Sequence, residues 1–255
     1  MTLISRILGF IRDMVLARVF GAGLATDAFF VAFKLPNFFR RMFGEGAFAT
    51  AFVPVLTEYR EQRSGDDLRG LMAAVSGVLA AVVAGVTVLG MLGAPLLVWV
   101  LAPGFGDDPH KLALTVDLLR ITFPYLFFIS LVALAGGVLN TFGRFAAPAF
   151  TPVLLNLAMI GAALLGAPYF DQPITALAWG VFAGGILQLL FQWPFLRRLG
   201  MALRPRFRPG HPGVRRIVRL MGPSILSVSV AQISILFDTI LASLLAGGSV
   251  SYLYY

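Results

Sequence analysis

The chain has 255 residues, of which 58% are hydrophobic and only 13% charged, whereas a soluble domain is about 45–50% apolar and about 25% charged. That balance excludes an ordinary water-soluble globule and reads as an all-α polytopic membrane helix bundle. There is no cysteine, which excludes disulfides, thiolate nucleophiles and cysteine metal sites, and the net charge of +8 is the excess that cytoplasmic loops of membrane proteins carry rather than a sign of nucleic-acid binding.

About 20 apolar residues cross the hydrocarbon core as a helix. By that measure helices are predicted over 2–21, 27–56, 71–101, 112–138, 149–167, 174–195 and 214–246, with an eighth beginning near Ser249. The first is no cleavable signal, because Arg12, Asp13 and Arg18 interrupt any apolar core segment. Its arginines, Arg6, Arg12 and Arg18, are six residues apart and so rotated by about 240° from one another. Arg6 and Arg18 can snorkel to the headgroups. Arg12 sits near mid-membrane, where a lipid-facing guanidinium costs at least about 2.5–3.5 kcal/mol, so it is expected to face a polar cavity. A structural pair with a carboxylate on another helix is the plainer alternative.

On the second helix Asp27, Lys34, Arg41 and Glu45 fall within about 40° of one another at 100° per residue. Arg40 and Asn37 lie beside that stripe, and Pro36 can kink the helix there. Flanked by AFFVAF and GAFATAFVPVL, such a stripe is expected to line an internal polar space. Helices three to six are nearly free of charge, apart from the pair Asp117 and Arg120 near one end. A cavity lined by several arginines suits an anion, because guanidinium matches phosphate bidentately and stays charged.

The connections 57–70, 139–148 and 196–216 hold eleven arginines, whereas the alternate connections hold Lys111 alone. That asymmetry places the N-terminus in the cytoplasm. The basic stretch RPRFRPGHPGVRR, 204–216, reads as a topogenic loop, with anionic lipid or a cytoplasmic partner as its alternative ligand. His110 and His211 stand in opposite loops beside prolines, without metal-ligand spacing, and no catalytic motif occurs; a transporter rather than an enzyme is expected. Trp99, Trp179 and Trp193 fall near helix ends as interfacial anchors, the phenylalanines read as packing, and the AGG runs at 135–137 and 183–185 suit close helix contact.

The stretch SRILGFIRDMVLARVFGAGLATDAFFVAFKLPNFFRRMFGEGAFATAFVPVL, Ser5 to Leu56, closely resembles the start of the MurJ (MviN) family, the bacterial lipid II flippases of the multidrug/oligosaccharidyl-lipid/polysaccharide exporter superfamily. APGFGDDPHKLALTVDLLRITFPY, LNTFGRFAAPAFTPVLLN and MGPSILSVSVAQIS continue the resemblance. It implies two six-helix lobes around a central cavity, with two further helices. Residues 1–196 would be the N-lobe of six transmembrane helices, 197–213 a cytoplasmic basic loop, and 214–255 helix 7 and the start of helix 8, opening a second lobe. Further chain is implied before Met1 and after Tyr255, where another cavity arginine is expected.

The resemblance also implies that Arg6, Arg12, Arg40, Asp13 and Asp27 serve the cargo and that Glu45 takes part in gating. The implied partners are lipid II, membrane lipids and the cell-wall synthesis and division machinery, in the inner membrane. No cofactor is implied beyond a coupling ion, sodium or proton. The rivals are an exporter of the superfamily for a drug or another polyprenyl-linked glycan, and a non-transporting scaffold whose buried charges pair with one another and leave no accessible volume.

A repeat lies within the chain. Shifted by 225 positions, Arg12–Phe30 lies over Phe237–Tyr255, so that Asp13 meets Asp238, Gly23 meets Gly248 and Thr26 meets Ser251. Asp13 and Asp238 are expected at similar depth, about 12 Å below a glycine-containing turn. With Phe237 in place of Arg12, Asp238 has no adjacent cation in sequence and is the candidate sodium or proton ligand.

Overall fold

A computed structural model describes residues 3–41 and 47–254, with the backbone alone for 225–233 and 235. Eleven α-helices lie among the described residues, and no strand. They are α1 (Leu3–Phe20), α2 (Leu24–Phe39), α3 (Phe48–Gln62), α4 (Gly65–Leu92), α5 (Ala94–Leu101), α6 (Pro109–Thr122), α7 (Tyr125–Thr141), α8 (Ala146–Gly161), α9 (Thr175–Arg198), α10 (Pro212–Ser243) and α11 (Ser249–Tyr254). Each expected span has helix among the described residues, and two of them are divided in two. The span 71–101 breaks at Gly93, and 112–138 breaks at Phe123–Pro124. In both places a proline, Pro95 or Pro124, withholds the N–H that would continue the ladder. Within the span 27–56 the described residues form α2 and α3, with widened turns at residues 40, 41 and 47. Glu45 lies outside the described residues.

The loop expected over 57–70 is corrected to a two-residue turn, Arg63–Ser64. A helix continues past the hydrocarbon into water at no cost to its own hydrogen bonds, so α3 carries its charged end outward. Ser64 then caps α4 by accepting the Asp67 amide at 3.1 Å, and Asp66 and Asp67 sit where the helix dipole favours anions. Asp108 caps α6 in the same way, accepting the amides of His110 and Lys111. Lys111 therefore belongs to the first turn of a helix and not to a loop.

The stretches Gly65–Leu92, Pro109–Thr141, Ala146–Tyr169 and Thr175–Arg198 are long and apolar enough to cross a membrane. With the relatives described below, they make this a multi-pass membrane protein. Two apolar cores stack along the bundle. One gathers Phe29, Phe30, Phe33, Leu118, Phe123 and Tyr125; the other gathers Phe52, Leu56, Leu71, Leu139 and Leu196. In lipid such packing rests on close fit rather than on escape from water. A Cβ at Gly184 would stand 2.8 Å from Leu155, and one at Gly185 2.9 Å from the Tyr125 ring, so the second AGG run does bring α9 against its neighbours. Trp99, Trp179 and Trp193 are exposed near helix ends. α1 packs on α8, and α10 lies against α3, α4 and α5. Residues of α2, α10 and α11 line a common space.

Candidate functional site

Arg12 is turned inward, with 16% of its side chain exposed. Its Nε and Nη2 donate to one oxygen of Asp13 at 2.9 and 2.7 Å. Nη1 donates to Asn156 Oδ1 on α8 at 3.0 Å, and Nη2 also reaches the Tyr254 hydroxyl on α11 at 3.2 Å. The carboxylate partner is thus its own neighbour in sequence, and the contacts to other helices are neutral. Asn156 is itself held, since its amide donates to the Ser5 carbonyl at 3.3 Å. A guanidinium has five N–H groups in a fixed fork, and this network fixes its plane while leaving donor capacity on Nη1.

Tyr254 joins this network to a cavity. Its ring stacks on Phe30, with centroids 3.8 Å apart, and forms one wall of a space of about 180 Å³ lined also by Lys34, Asn37, Arg41, Phe33 and Leu253. Lys34 and Arg41 make no ion pair with a described carboxylate. Asp238 on α10 is exposed and lies within electrostatic reach of Lys34. Arg40 donates through Nε to Asn37 Oδ1 at 3.1 Å, which turns it along its own helix. Arg6 and Arg18 are exposed at the two ends of α1, where snorkelling is available.

Asp27 departs from the stripe. It is 1% exposed, sealed away from the cavity where α2, α6 and α11 meet. One oxygen accepts the Lys111 ammonium at 3.1 Å and the Gly248 amide at 2.7 Å. The other accepts the amide and the hydroxyl of Ser251 at 2.9 and 2.6 Å. Four donors leave this carboxylate no room for a ligand, so the structure corrects the continuous polar lining: Lys34 and Arg41 face the space, and Asp27 ties helices together. Lys111, in the first turn of α6, is spent on this pair and on the Phe105 ring, 3.9 Å from its Nζ.

The repeat has a structural counterpart with one offset. Asp27 N bonds Gly23 O at 2.9 Å, and at the aligned positions Tyr252 N bonds Gly248 O at 2.9 Å. The left-handed glycine is Gly21 (φ 65) in the first turn but Gly248 (φ 93), aligned with Gly23, in the second. The two turns touch, since a Cβ on Gly248 would lie 3.6 Å from Ala22. Asp238 has no adjacent cation on its own helix, yet Lys34 faces it from α2.

A family model described as lipid II flippase MurJ matches residues 16–255. The chain belongs to the MurJ family. It is 48% identical over 262 residues to the probable lipid II flippase MurJ of Haemophilus influenzae, covering all of this chain and 51% of that one. It is 46% identical over 258 residues to the lipid II flippase MurJ of Burkholderia cenocepacia, covering all of this chain and 50% of that protein. A solved structure described as lipid II flippase MurJ in an inward closed conformation superposes with a TM-score of 0.82 at 29% identity, covering 98% of this chain and 51% of that one. The chain spans about half the length of the MurJ relatives it matches.

Four site residues were not marked by sequence reasoning: Asn156, Tyr254, Ser251 as donor to Asp27, and Lys111 as its counter-ion. Asn156 was visible as an amide inside an apolar helix, and Ser251 as the repeat partner of Thr26. Nothing in the sequence pairs Lys111 with Asp27, 84 positions away.

Proposed function

We propose that this chain forms the first lobe and the opening helices of the second lobe of a lipid II flippase of the bacterial inner membrane, with its N-terminus in the cytoplasm. The observation that carries the reading is a cation-lined cavity inside a membrane helix bundle. Lys34 and Arg41 line it and make no ion pair with a described carboxylate, and Arg12 stands behind the Tyr254 wall. Such a space suits the pyrophosphate of a polyprenyl-linked precursor, whose charge is then matched by guanidinium and ammonium rather than desolvated. The tail stays in lipid while the head group crosses.

Alternating access needs an element with two positions. α11 supplies it: its start is held by Asp27, and its last described residue, Tyr254, holds Arg12 and covers the cavity. Release of Asp27 from Ser251 and Gly248 frees α11 to swing, which withdraws Tyr254 and turns Arg12 toward the cargo. Asp238 serves as the site for a coupling sodium ion or proton, which competes with Lys34 for its carboxylate. The work is transport and not catalysis, and lipid II with surrounding membrane lipid are its partners, beside cell-wall synthesis and division machinery.

A scaffold of mutually paired charges requires no accessible space, which the cavity argues against. A cationic drug calls for an acidic lining, and the lining is cationic. The test is rescue: the full-length gene should sustain cells depleted of their own lipid II flippase, and failure at normal membrane abundance would remove the assignment.

A further inference from the structure

A second cationic space lies away from the cavity, at the far ends of α4 and α9. Arg69 on α4, Arg197 on the last turn of α9, and Arg204 and Arg206 from the connection between α9 and α10 surround a cavity of about 620 Å³. Its one acid, Asp66, is already ion-paired with Arg69. Arg197, Arg204 and Arg206 make no ion pair with a described carboxylate. A topogenic loop needs only charge, in any conformation. This connection is instead built in place. Met201 and Leu203 are buried in the core, and the Arg206 amide donates to the Ala73 carbonyl of α4 at 2.8 Å. Gly77 makes that contact possible, because a Cβ there would stand 2.3 Å from the Arg206 backbone.

We infer that this space is a binding site for the phosphate headgroup of an anionic glycerophospholipid. Arg197, Arg204 and Arg206 line one volume and make no ion pair with a described carboxylate, so their guanidinium groups are available to a phosphodiester. The adjoining helix face indicates a lipid rather than a free phosphate. Leu190, Trp193 and Arg197 are spaced three and four residues apart, and so share one face of α9. Leu190 is 62% and Trp193 36% exposed. An acyl chain hanging from a headgroup at Arg197 runs down past Trp193. Basic pockets at the cytoplasmic ends of membrane helices suit such headgroups. The inference rests on the membrane-spanning reading of α4 and α9 and on no step of cargo transport.

Trp193 is the reporter. In full-length protein with every other tryptophan replaced by phenylalanine, reconstituted in phosphatidylcholine vesicles, dibrominated phosphatidylglycerol should quench Trp193 with at least about fivefold preference over dibrominated phosphatidylcholine, the contribution of one basic residue near an anionic surface. Combined Arg197→Gln, Arg204→Gln and Arg206→Gln changes, all at exposed side chains, should abolish the preference. Gly77→Ala keeps every charge but displaces the loop, and should abolish it too. Arg144→Gln, Arg208→Gln and Arg215→Gln together remove the same charge elsewhere and should leave it intact. Equal quenching by the two lipids, an equal loss in this last variant, full preference in Gly77→Ala, or loss of preference in millimolar inorganic phosphate would each overturn the lipid site. Cargo transport is not read in this assay, so its outcome leaves the flippase reading standing or falling on its own test.

Discussion

Asp27 and Ser251, 224 positions apart in the chain, are bonded twice, the carboxylate accepting both the amide and the hydroxyl of the serine at 2.9 and 2.6 Å. The same carboxylate is ion-paired to Lys111. One buried anion thus joins α2, α6 and the start of α11. The hydroxyl of Thr26, the repeat partner of Ser251, donates to the Phe20 carbonyl of its own turn, whereas that of Ser251 reaches across to Asp27.

Removing that anion leaves an ammonium buried without a partner. Asp27→Ala should therefore cost about 3–5 kcal/mol, the range for breaking one side of a buried pair. Thermal unfolding of the full-length protein in detergent would register it as a lowered midpoint. Asp27→Ala with Lys111→Met removes both charges and should recover much of the loss. An unchanged midpoint in the single variant would show that the latch holds nothing.

Tyr254→Phe removes one hydrogen bond to Arg12 and keeps the stack on Phe30. A neutral hydrogen bond is worth about 0.5–1.5 kcal/mol, and one to a charged group about 1.5–3 kcal/mol. If Tyr254 covers the cavity, its loss should make a cysteine at Asn37 react faster with a water-borne thiol reagent, by tenfold or more on that scale. Equal rates would place the barrier elsewhere.

His211 caps α10, its Nδ1 accepting the Gly213 amide at 3.2 Å. Partial burial, and then the like charge of Arg208, hold its pKa below the ordinary 6.5, with Asp67 opposing weakly. A histidine whose folded value is depressed contributes stability that is present above the unfolded value and is lost as pH falls through the folded one. The cap should accordingly open on acidification, because an imidazolium cannot accept. NMR titration of His211, assigned with a His110→Gln variant, should give a midpoint below 6.5. A midpoint above 6.5 would contradict the burial.

The orientation is checked with single cysteines. Those at Ser64 and Gly210 should be shielded from an impermeant thiol reagent in intact cells, while one at Asp171 should label. All three side chains stand at exposed positions, so accessibility reads the side of the membrane. Reversed labelling would overturn the argument from loop arginines.

The spans were legible because a continuous apolar run is hard to hide, and the inward turn of Arg12 because a guanidinium in lipid is costly. The breaks at Gly93 and Pro124 were less so, since proline and glycine are common inside membrane helices. The stripe on α2 was legible as a face but not as a set of jobs. Periodicity gives Asp27 and Lys34 the same direction, and only tertiary placement shows that one is sealed by Lys111 and Ser251 while the other lines open space. Asp238 was legible through the repeat. Its neighbour Lys34 was not, because periodicity within one helix carries no information about what faces it.

The central claim is that Arg12 and its neighbours receive an anionic head group. It is tested most directly by measuring how much lipid II becomes accessible to a lipid II-cleaving enzyme added outside cells that depend on the full-length protein. With Arg12→Ala the accessible fraction should fall by about tenfold or more, the effect of losing a charge-assisted contact of about 1.5–3 kcal/mol, and Arg12→Lys should restore little because the fork is lost. Wild-type accessibility in Arg12→Ala, at normal abundance in the membrane, would contradict the account.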